Sequence, residues 1–335
     1  MKLLDHSNPA DHVLLGVIND DWPFQFLSEF SRFHMHYFNE KIKIVYDEVS
    51  KAYMPIRLLN VKFFSPAQIL FAPFRDAKEI SSNEQTEFFN RLIQMLQKNE
   101  SFERLVQPHP YGILSAYPQG AEYCEFGTYI VDLENQSEEQ LLEKFHPKYQ
   151  KAVAHSVNNG AIVKIGKETL PDFYKTYSST MKKGGLHLDK FEYFKTVSNF
   201  MGDDHICSAV VYDNNEPVSG IFLLYSKYSA FLTHAGTQGD SKLYGAAKLL
   251  NFEVMKYLKN KHVKRYDFVG VRLKNNNPAL DGIFRFKKGF GGDLKEGYLW
   301  KKDILPLKAK AYDLISKIKS GRNQIVDIID QVNKD

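Results

Sequence analysis

The segment DGIFRFKKGFGG at residues 281–292 concentrates residues that could do chemistry. It contains four glycines, three phenylalanines and three cations within twelve positions. Read as a strand, FRFK sends Phe284 and Phe286 to one face and Arg285 and Lys287 to the other. The aromatic face would then be core while the cationic face addresses a ligand. A half-buried edge strand with solvated cations is the alternative.

The same segment lacks the features of the common phosphate-binding loops. GFGG at 289–292 is not followed by Lys-Ser or Lys-Thr, and its glycines do not open a helix behind a strand. His34 and His36 have no acidic or further histidine partner in a zinc pattern, so we expect no metal site. No GxSxG elbow occurs, so covalent catalysis has no support in the sequence.

An acidic residue stands at the end of another predicted strand. YDFVG at 266–270 places Asp267 where the chain leaves the sheet. A carboxylate there either forms a hydrogen bond in a site or satisfies a nearby backbone turn. Both interpretations remain open from the sequence.

Composition is typical of a folded cytoplasmic protein. The 335 residues are 43% apolar, 25% charged and 14% aromatic, which excludes a disordered chain. The apolar runs are far shorter than the roughly 18 residues of a membrane span, and the N-terminus has no signal-peptide pattern. Cys124 and Cys207 lack CxxC or Cys/His surroundings, so we expect neither a disulfide framework nor structural zinc.

The net charge of +4 is unevenly distributed along the chain. Residues 242–310 hold 17 Lys and Arg against 6 Asp and Glu, so this stretch alone carries +11. Charge concentrated in this way attracts phosphates, an anionic membrane surface or RNA. A solvated basic face is the alternative.

The clearest pattern of elements lies in the second half. It predicts, in order, a strand at 161–166, two helices within 168–201, three strands within 206–237, a helix at 243–261 and a strand at 263–271. This β-α-α-β-β-β-α-β order is that of the GNAT acyltransferase fold. In that fold a splayed mixed sheet holds an acyl donor beside an amine.

The first half offers a less regular version of the same elements. The patterns predict helices at 21–33 and 83–99, a hairpin of 41–49 with 52–59, and strands at 102–107 and 126–133. We expect an α/β (α+β) fold of two tandem GNAT-like domains, each a mixed twisted sheet flanked by helices. The expected boundaries are 1–135 for a degenerate N-terminal domain, 136–304 for the C-terminal domain and 305–335 for a helical tail.

Two further helices are predicted, one after the expected domain boundary and one in the C-terminal tail. Pro147 should kink or divide a helix predicted over 138–160. The tail should be helical with a break near Ser320 and Gly321, and its apolar stripe comprises Leu314, Ile318, Ile325, Ile328 and Ile329. We expect this stripe to dock on the body of the protein, and a helix lying on a membrane or a partner is the alternative.

Several motifs, in matching order, resemble the Fem-type aminoacyltransferases that build peptidoglycan cross-bridges, and the related FemAB-like or BioF2-like acetyltransferase-domain proteins. YDFVGV at 266–271 and GIFRFKKGFGG at 282–292 resemble the C-terminal signature of that family, YDFGG followed by GLYRFKxGFG. Val269 replaces the first glycine of the YDFGG pair. The passages at 127–163 and 171–185 resemble two motifs further upstream.

The resemblance implies a chemistry and its partners. It implies two GNAT-like domains with a cleft between them, and transfer of an acyl group from tRNA or coenzyme A to an amine on a cell-envelope precursor. The amine must lose its proton, and prepositioned donors must stabilise the developing oxyanion. No tightly bound cofactor is implied. Peripheral contact with the anionic inner face of the membrane is a further expectation.

The family residues can be carried over by position. Phe286 and Lys287 match the FK pair of the family, which implies that Lys287 helps bind the donor end and stabilises charge at the reacting carbonyl. Gln150 and Ala154 stand where the family commonly has arginines, which leaves neighbouring lysines to bind phosphate. The candidate catalytic residues are Lys287 and Phe286, and the candidate substrate-binding residues are Lys148, Lys151, Arg285, Asp267, Tyr244 and Arg75.

Three functions follow from these patterns. The first is an aminoacyl- or acyltransferase acting on an envelope-precursor amine. The second is an acyl-CoA-dependent N-acyltransferase acting on a nucleotide-linked amino sugar, although GTQGDSKLYGAA at 236–247 matches the coenzyme A signature poorly. The third is a non-catalytic GNAT-like protein that holds an anionic surface or nucleic acid.

Overall fold

A computed structural model describes residues 1–61, 64–99, 102–238, 243–274, 278–311, 314 and 327–333. Over these residues the chain folds into a fifteen-stranded mixed sheet with helices packed on both faces. Across the same part of the chain, no helix is both long and apolar enough to cross a lipid bilayer.

The N-terminal half contributes seven of the described strands and three of the described α-helices. The strands are β1 (Lys2–Leu4), β2 (Lys41–Tyr46), β3 (Tyr53–Leu58), β4 (Ala67–Ile69), β5 (Phe74–Arg75), β6 (Lys78–Glu79) and β7 (Arg104–Val106). The helices are α1 (His12–Leu15), α2 (Ser28–Phe38) and α3 (Ser82–Asn99), with 3₁₀ turns at Pro9–Asp11 and Phe24–Phe26.

The C-terminal half begins with a long strand that is shared by several partners. Its strands are β8 (Glu122–Asp132), β9 (Ile162–Ile165), β10 (Ile206–Asp213), β11 (Glu216–Tyr225), β12 (Ala230–Thr237), β13 (Arg265–Asp267), β14 (Val271–Arg272) and β15 (Asp293–Asp303). Its helices are α4 (Glu138–Glu143), α5 (Pro147–Asn158), α6 (Leu170–Lys183), α7 (Phe191–Met201), α8 (Ala246–Asn260), α9 (Pro278–Lys288) and α10 (Ile328–Val332), with a 3₁₀ turn at Lys167–Thr169.

The predicted GNAT-like order is confirmed as β9-α6-α7-β10-β11-β12-α8-β13. Strands β9 to β12 are antiparallel neighbours, and β13 is parallel to β12. Pro147 divides the helix predicted over 138–160 into α4 and α5, because proline is tolerated in the first helical turn but not inside a helix.

Strand pairing forms one path through both halves, in the order β1-β2-β3-β4-β7-β15-β8-β13-β12-β11-β10-β9. Strand β15 is the link, since it pairs with β7 at one end and with β8 along most of its length. Strand β8 precedes the predicted boundary at 135/136, yet its partners are β13, β14 and β15. The division into domains stays a prediction.

Helices cover both faces of the C-terminal sheet. Helix α6 packs on β11 and β12, whereas α8 packs on β10 and β11 from the other side. Strand β11 is therefore buried from Pro217 to Tyr225 and reads as a nearly continuous apolar run.

The strand predicted over FRFK is wrong, because these residues lie in helix α9. Phe286 packs on Phe290, four residues further on, with 5.1 Å between ring centroids. Phe284 packs instead against Tyr129, at 5.5 Å. Alternation over four residues is too short to separate a period of 2 from one of 3.6, and packing of α9 on β8 and α5 selected the helix.

The glycines after α9 form a close turn. Gly291 has φ +71°, and a methyl group there would overlap the carbonyl oxygen of Lys144. A methyl group on Gly292 would lie 2.7 Å from the carbonyl oxygen of Ile130. The turn brings β15 against β8. This close approach requires glycines in GFGG, so their presence does not indicate a phosphate-binding loop.

The predicted tail docks on the body through its last helix. Ile329 is fully buried in a small apolar cluster whose other buried members are Ile113, Cys124, Phe126 and Leu299. Leu314 is 62% exposed, so it does not extend this docked surface. Ile318 and Ile325 lie outside the described residues.

Candidate functional site

Lys287 lies on the side of α9 that faces the turn after β13. Its Nζ donates to the carbonyl oxygens of Val269 at 2.5 Å and Gly270 at 2.6 Å. Burial lowers the pKa of Lys287 to about 8, although the nearby Asp267 carboxylate acts in the opposite direction. An ammonium group carries three N–H donors, and contacts with the described residues use two of them.

The turn that Lys287 contacts is strained. Val269 has φ +50° and Gly270 has φ +68°, so two consecutive residues are left-handed. This conformation suits glycine but costs about 1–2 kcal/mol for a residue with a β-carbon. The YDFGG pair of the family fits this geometry, whereas Val269 adopts it against its own preference. Lys287 stabilises the turn by donating to both carbonyls.

Asp267 ends β13 and is nearly enclosed, with 6% of its surface exposed. Its Oδ1 accepts hydrogen bonds from the Thr128 hydroxyl at 2.5 Å and from the Val269 N–H at 2.7 Å. Among the described residues, no hydrogen bond reaches its Oδ2. Burial raises the pKa of Asp267, and the bond from Thr128 opposes this shift. One oxygen thus satisfies the turn while the other remains available to a ligand.

Asp267 lines a small cavity between the two halves of the chain. Strand β12 pairs with β13 only at Ala230↔Tyr266 and Phe231↔Asp267, and then continues to Thr237. The cavity lies beside this paired segment, where residues of β8, β12, β13 and β15 face the N-terminal half. Its wall also includes Phe71, Glu79, Tyr111, Thr128, Tyr228, Phe231 and Lys295. Its enclosed space suits a group about the size of a water molecule or an ammonium head.

The other charged groups of this wall are already paired. Lys295 Nζ lies 2.5 and 2.7 Å from the two carboxylate oxygens of Glu79. Arg265 donates to the Tyr228 hydroxyl at 2.9 Å, and its guanidinium carbon lies 4.8 Å from the centre of that ring. Asp267 has no ion pair within the described part of the chain, so it is the carboxylate of this wall that lacks a cation.

The sequence missed most of this wall. Glu79 and Lys295 are far apart along the chain and follow no motif, and only the pairing of β15 with β8 brings Lys295 to the cavity. Thr128 could have been identified from the sequence, because it is a polar residue in the mostly apolar predicted strand GTYIVDL. A buried polar residue of this kind needs a partner, and Asp267 is that partner.

A second cluster of aromatic and cationic groups lies on the other side of α9. Phe286 is half-buried beside Tyr149, with 6.2 Å between ring centroids, and the Tyr149 hydroxyl donates to the Phe286 carbonyl at 3.3 Å. Lys248 Nζ lies 5.3 Å from the Tyr149 ring centre and 5.4 Å from that of Phe286. Burial lowers the pKa of Lys248.

Three of the predicted substrate-binding cations lie on the two helices that form this cluster. Lys148 and Lys151 are exposed on α5, next to Tyr149 in sequence, and Arg285 is exposed on α9. Among the described residues, none of their side chains forms an ion pair. Helices α5 and α9 therefore expose three cations in addition to the contact between Tyr149, Phe286 and Lys248.

The structure does not bring the last two predicted residues to the cavity. Tyr244 is 58% exposed before α8, where its carbonyl accepts a hydrogen bond from Ser156 at 2.9 Å. Arg75 donates to the Ser50 carbonyl at 2.6 Å and to Glu84 Oε1 at 3.0 Å, within the N-terminal half. Arg75 has local partners that explain its position without a ligand.

Comparison with known proteins gives the relationships of the chain. A family model described as the FemAB family matches residues 121–212 and 205–317. The aminoacyltransferase FemA of Staphylococcus aureus is 28% identical over 109 residues, which are 32% of this chain and 26% of FemA. The match with the curated relatives thus spans about a quarter of their length.

Solved structures share the fold along nearly the whole chain. FemX has a TM-score of 0.66 at 12% identity, and the match covers 93% of this chain and 99% of FemX. L-PGS from Bacillus licheniformis has a TM-score of 0.54 at 12% identity, with 93% and 98% covered. The C-terminal domain of a putative lysylphosphatidylglycerol synthetase from Agrobacterium fabrum has a TM-score of 0.51 at 11% identity, with 92% and 98% covered.

Proposed function

The chain belongs to the FemAB family, and from that premise we propose that it is an aminoacyltransferase that forms an amide on an amine of a cell-envelope precursor. We take aminoacyl-tRNA as the donor, as the resemblance to Fem-type enzymes implies. Peptidoglycan precursors are the proposed class of acceptor.

The observation that carries this proposal is the position of Lys287. The side chain is half-buried just beyond the end of β13, and among the described residues its ammonium group donates two hydrogen bonds out of a possible three. With a pKa of about 8, the group is largely protonated at neutral pH. A fixed cation in a water-poor site stabilises the negative charge that develops on a carbonyl oxygen under attack.

The basic face of α5 and α9 supports a phosphate-bearing donor. Lys148, Lys151 and Arg285 are exposed there and would meet the backbone phosphates of an RNA end. Tyr149 and Phe286 offer rings on which a base can stack. The donor would thus approach along α9 and place its acyl ester near Lys287.

Replacement of one lysine tests the role of the charge. Lys287→Ala should lower kcat/KM for aminoacyl transfer about a hundredfold or more, because a prepositioned donor to an oxyanion typically contributes that much. The matched control is Lys288→Ala, since Lys288 is the exposed neighbour on the same helix. Transfer is measured from charged tRNA to peptidoglycan-precursor amines, and circular dichroism and thermal melting confirm that both variants fold. Wild-type transfer by Lys287→Ala would remove the assignment.

Thermal-shift measurements separate the two possible donors. A ligand that binds only the folded state raises the melting temperature, so charged tRNA should stabilise the chain more than acyl-CoA does. Stabilisation by acyl-CoA alone would favour an N-acyltransferase acting on a nucleotide-linked amino sugar. Binding to anionic vesicles that vanishes on deletion of 306–335, with no transfer from any donor, would favour a non-catalytic protein at the inner face of the membrane.

A further inference from the structure

The cavity beside β13 contains a carboxylate oxygen that has no partner among the described residues, which indicates the kind of ligand that it can bind. Asp267 is 6% exposed and lines the cavity, and within the described part of the chain its Oδ2 has no hydrogen bond and no cation. A buried carboxylate in this state is costly unless a cation or a hydrogen-bond donor reaches it. The described residues do not supply this donor, so it must reach Oδ2 through the cavity.

The wall around Asp267 favours a small cation with N–H donors. The rings of Tyr111, Tyr228 and Phe231 line the same cavity, and aromatic faces attract ammonium groups. The cations of the wall do not compete for the site, because Lys295 is held by Glu79 and Arg265 by Tyr228. The space has room for a group about the size of an ammonium head.

Asp267 and Lys287 lie on two sides of the same turn. The Val269 N–H donates to Asp267, while the carbonyls of Val269 and Gly270 accept from Lys287. A carboxylate and an ammonium group are thus fixed by one backbone segment at the strand separation. Asp267 lines the cavity, and Lys287 lies close enough for its charge to lower the pKa of Asp267. The carboxylate can serve a nucleophile, and the ammonium group can serve a carbonyl.

We propose that Asp267 is the catalytic base of the chain: its Oδ2 binds the ammonium form of the acceptor amine in this cavity and removes one proton from it. This inference rests on the proposed function and names the group that activates the nucleophile. The neutral amine attacks the ester carbonyl carbon, so a C–N bond forms and the ester C–O bond breaks. The departing oxygen takes the second proton of the nitrogen, and Asp267 returns the first to solvent.

The charges that face Asp267 set the pH range of this step. They come from Lys287 on α9, Lys295 on β15, Glu79 on β6 and Arg265 on β13, with Tyr228 before β12. Burial raises the pKa of Asp267, so the carboxylate is a better proton acceptor than an exposed aspartate. The rate should rise with pH as Asp267 ionises and fall above about pH 8 as Lys287 loses its proton.

The first test measures transfer with Asp267→Asn, which keeps an oxygen for the bonds from Thr128 and Val269. The variant should lose on the order of a hundredfold or more in kcat at pH 7. Its rate should then rise about tenfold from pH 7 to pH 8, because the fraction of neutral amine in solution increases, and level off above pH 8 as Lys287 loses its proton. The control is Asp293→Asn, an exposed carboxylate on β15. Wild-type activity, or a loss that is equal at every pH, would overturn the proposal and leave the transferase function standing.

The second test does not depend on transfer. Methylammonium chloride should raise the melting temperature of the wild type relative to tetramethylammonium chloride at equal ionic strength, since the latter has no N–H and is too large. Asp267→Asn should lose this difference, whereas Asp293→Asn should keep it. Equal responses of Asp267→Asn and wild type would contradict the site. If the difference is present but no donor supports transfer, the ammonium site stands and the proposed function fails.

Discussion

Lys287 occupies a position that disfavours its charged form. Its pKa is lowered to about 8 mainly by burial, yet the folded chain keeps its ammonium group between two carbonyl oxygens. Val269 takes a left-handed conformation in the same turn. A buried charge and a left-handed residue with a β-carbon are both unfavourable by themselves. Unfavourable features of this kind are common at functional sites.

The pKa of Lys287 has a measurable consequence for stability. The folded-state value of about 8 lies below the ordinary 10.5, so between these pH values the unfolded state binds more protons. The free energy of unfolding of the wild type should therefore contain a contribution that rises with pH across this window, by up to about 1.4 kcal/mol per pH unit. Lys287→Met should lack it.

Chemical denaturation at several pH values between 7.5 and 10.5 measures the difference between the two proteins. Tyrosines that are buried in the folded protein have raised pKa values and titrate near the top of this range only in the unfolded state, but this contribution is common to both proteins and cancels in the comparison. Lys288→Met is the control, since Lys288 is exposed on the same helix. If the free energy of unfolding changed with pH in the same way in wild type and Lys287→Met, burial would not lower the pKa of Lys287.

At the scale of elements, short helices and turns hold the site in place. Helix α9 presents Lys287 to the turn after β13, and Gly291 lets the chain pass close to Lys144 before it enters β15. Helix α10 closes the other side of β8 and β15. Its Asp327 and Asp330 both accept hydrogen bonds from Lys301 on β15, at 3.0 and 2.5 Å.

Docking of α10 can be followed through a cysteine. Cys124 is 3% exposed in the cluster that Ile329 completes, and burial raises the pKa of its thiol to about 11. Ile329→Ala should weaken docking by about 2 kcal/mol or more, so thiol labelling of Cys124 should accelerate roughly tenfold or more. Mass spectrometry assigns the labelled residue.

Two controls accompany this measurement. Cys207 is buried in a different core, so its labelling should stay slow in every variant. Leu314→Ala changes an exposed tail residue and should leave the labelling of Cys124 unchanged. An unaltered labelling rate of Cys124 in Ile329→Ala would mean that α10 does not protect it.

At the scale of the whole molecule, the two halves share one core. Phe231 on β12 is 1% exposed and packs against Phe24 at 5.4 Å and Phe71 at 6.1 Å, both from the N-terminal half. Phe33 on α2 packs against Tyr193 on α7 at 5.6 Å. Together with the continuous strand pairing, these contacts couple the halves energetically.

The shared core predicts that both halves unfold at the same midpoint. Phe231→Ala should destabilise the whole chain by about 3–5 kcal/mol and shift both halves together. Hydrogen exchange in denaturant, followed separately for β2–β3 and β10–β11, measures the two midpoints. Val49→Ala, at a position that is 72% exposed, is the control. Two separate transitions would instead support unfolding units that meet near the predicted boundary at 135/136.

Much of the fold could be predicted from the sequence, because element type depends on local periodicity. The order from β9 to β13, the division of a helix at Pro147 and the docking of Ile329 follow from patterns within a few residues. The FRFK segment shows the limit of such patterns. Its alternation is too short to exclude a helix, and contacts with Tyr129 and Tyr149 decided its structure.

The sequence by itself determined which residue types are present, their spacing and the family that their motifs resemble, and so it pointed to Lys287 and Asp267. Only the tertiary structure decided that these two share one turn, that Glu79 neutralises Lys295, and that one oxygen of Asp267 remains without a partner. The reason is physical. Periodicity acts over a few residues, whereas the partners of a buried charge come from strands and helices that meet only when the whole sheet has formed.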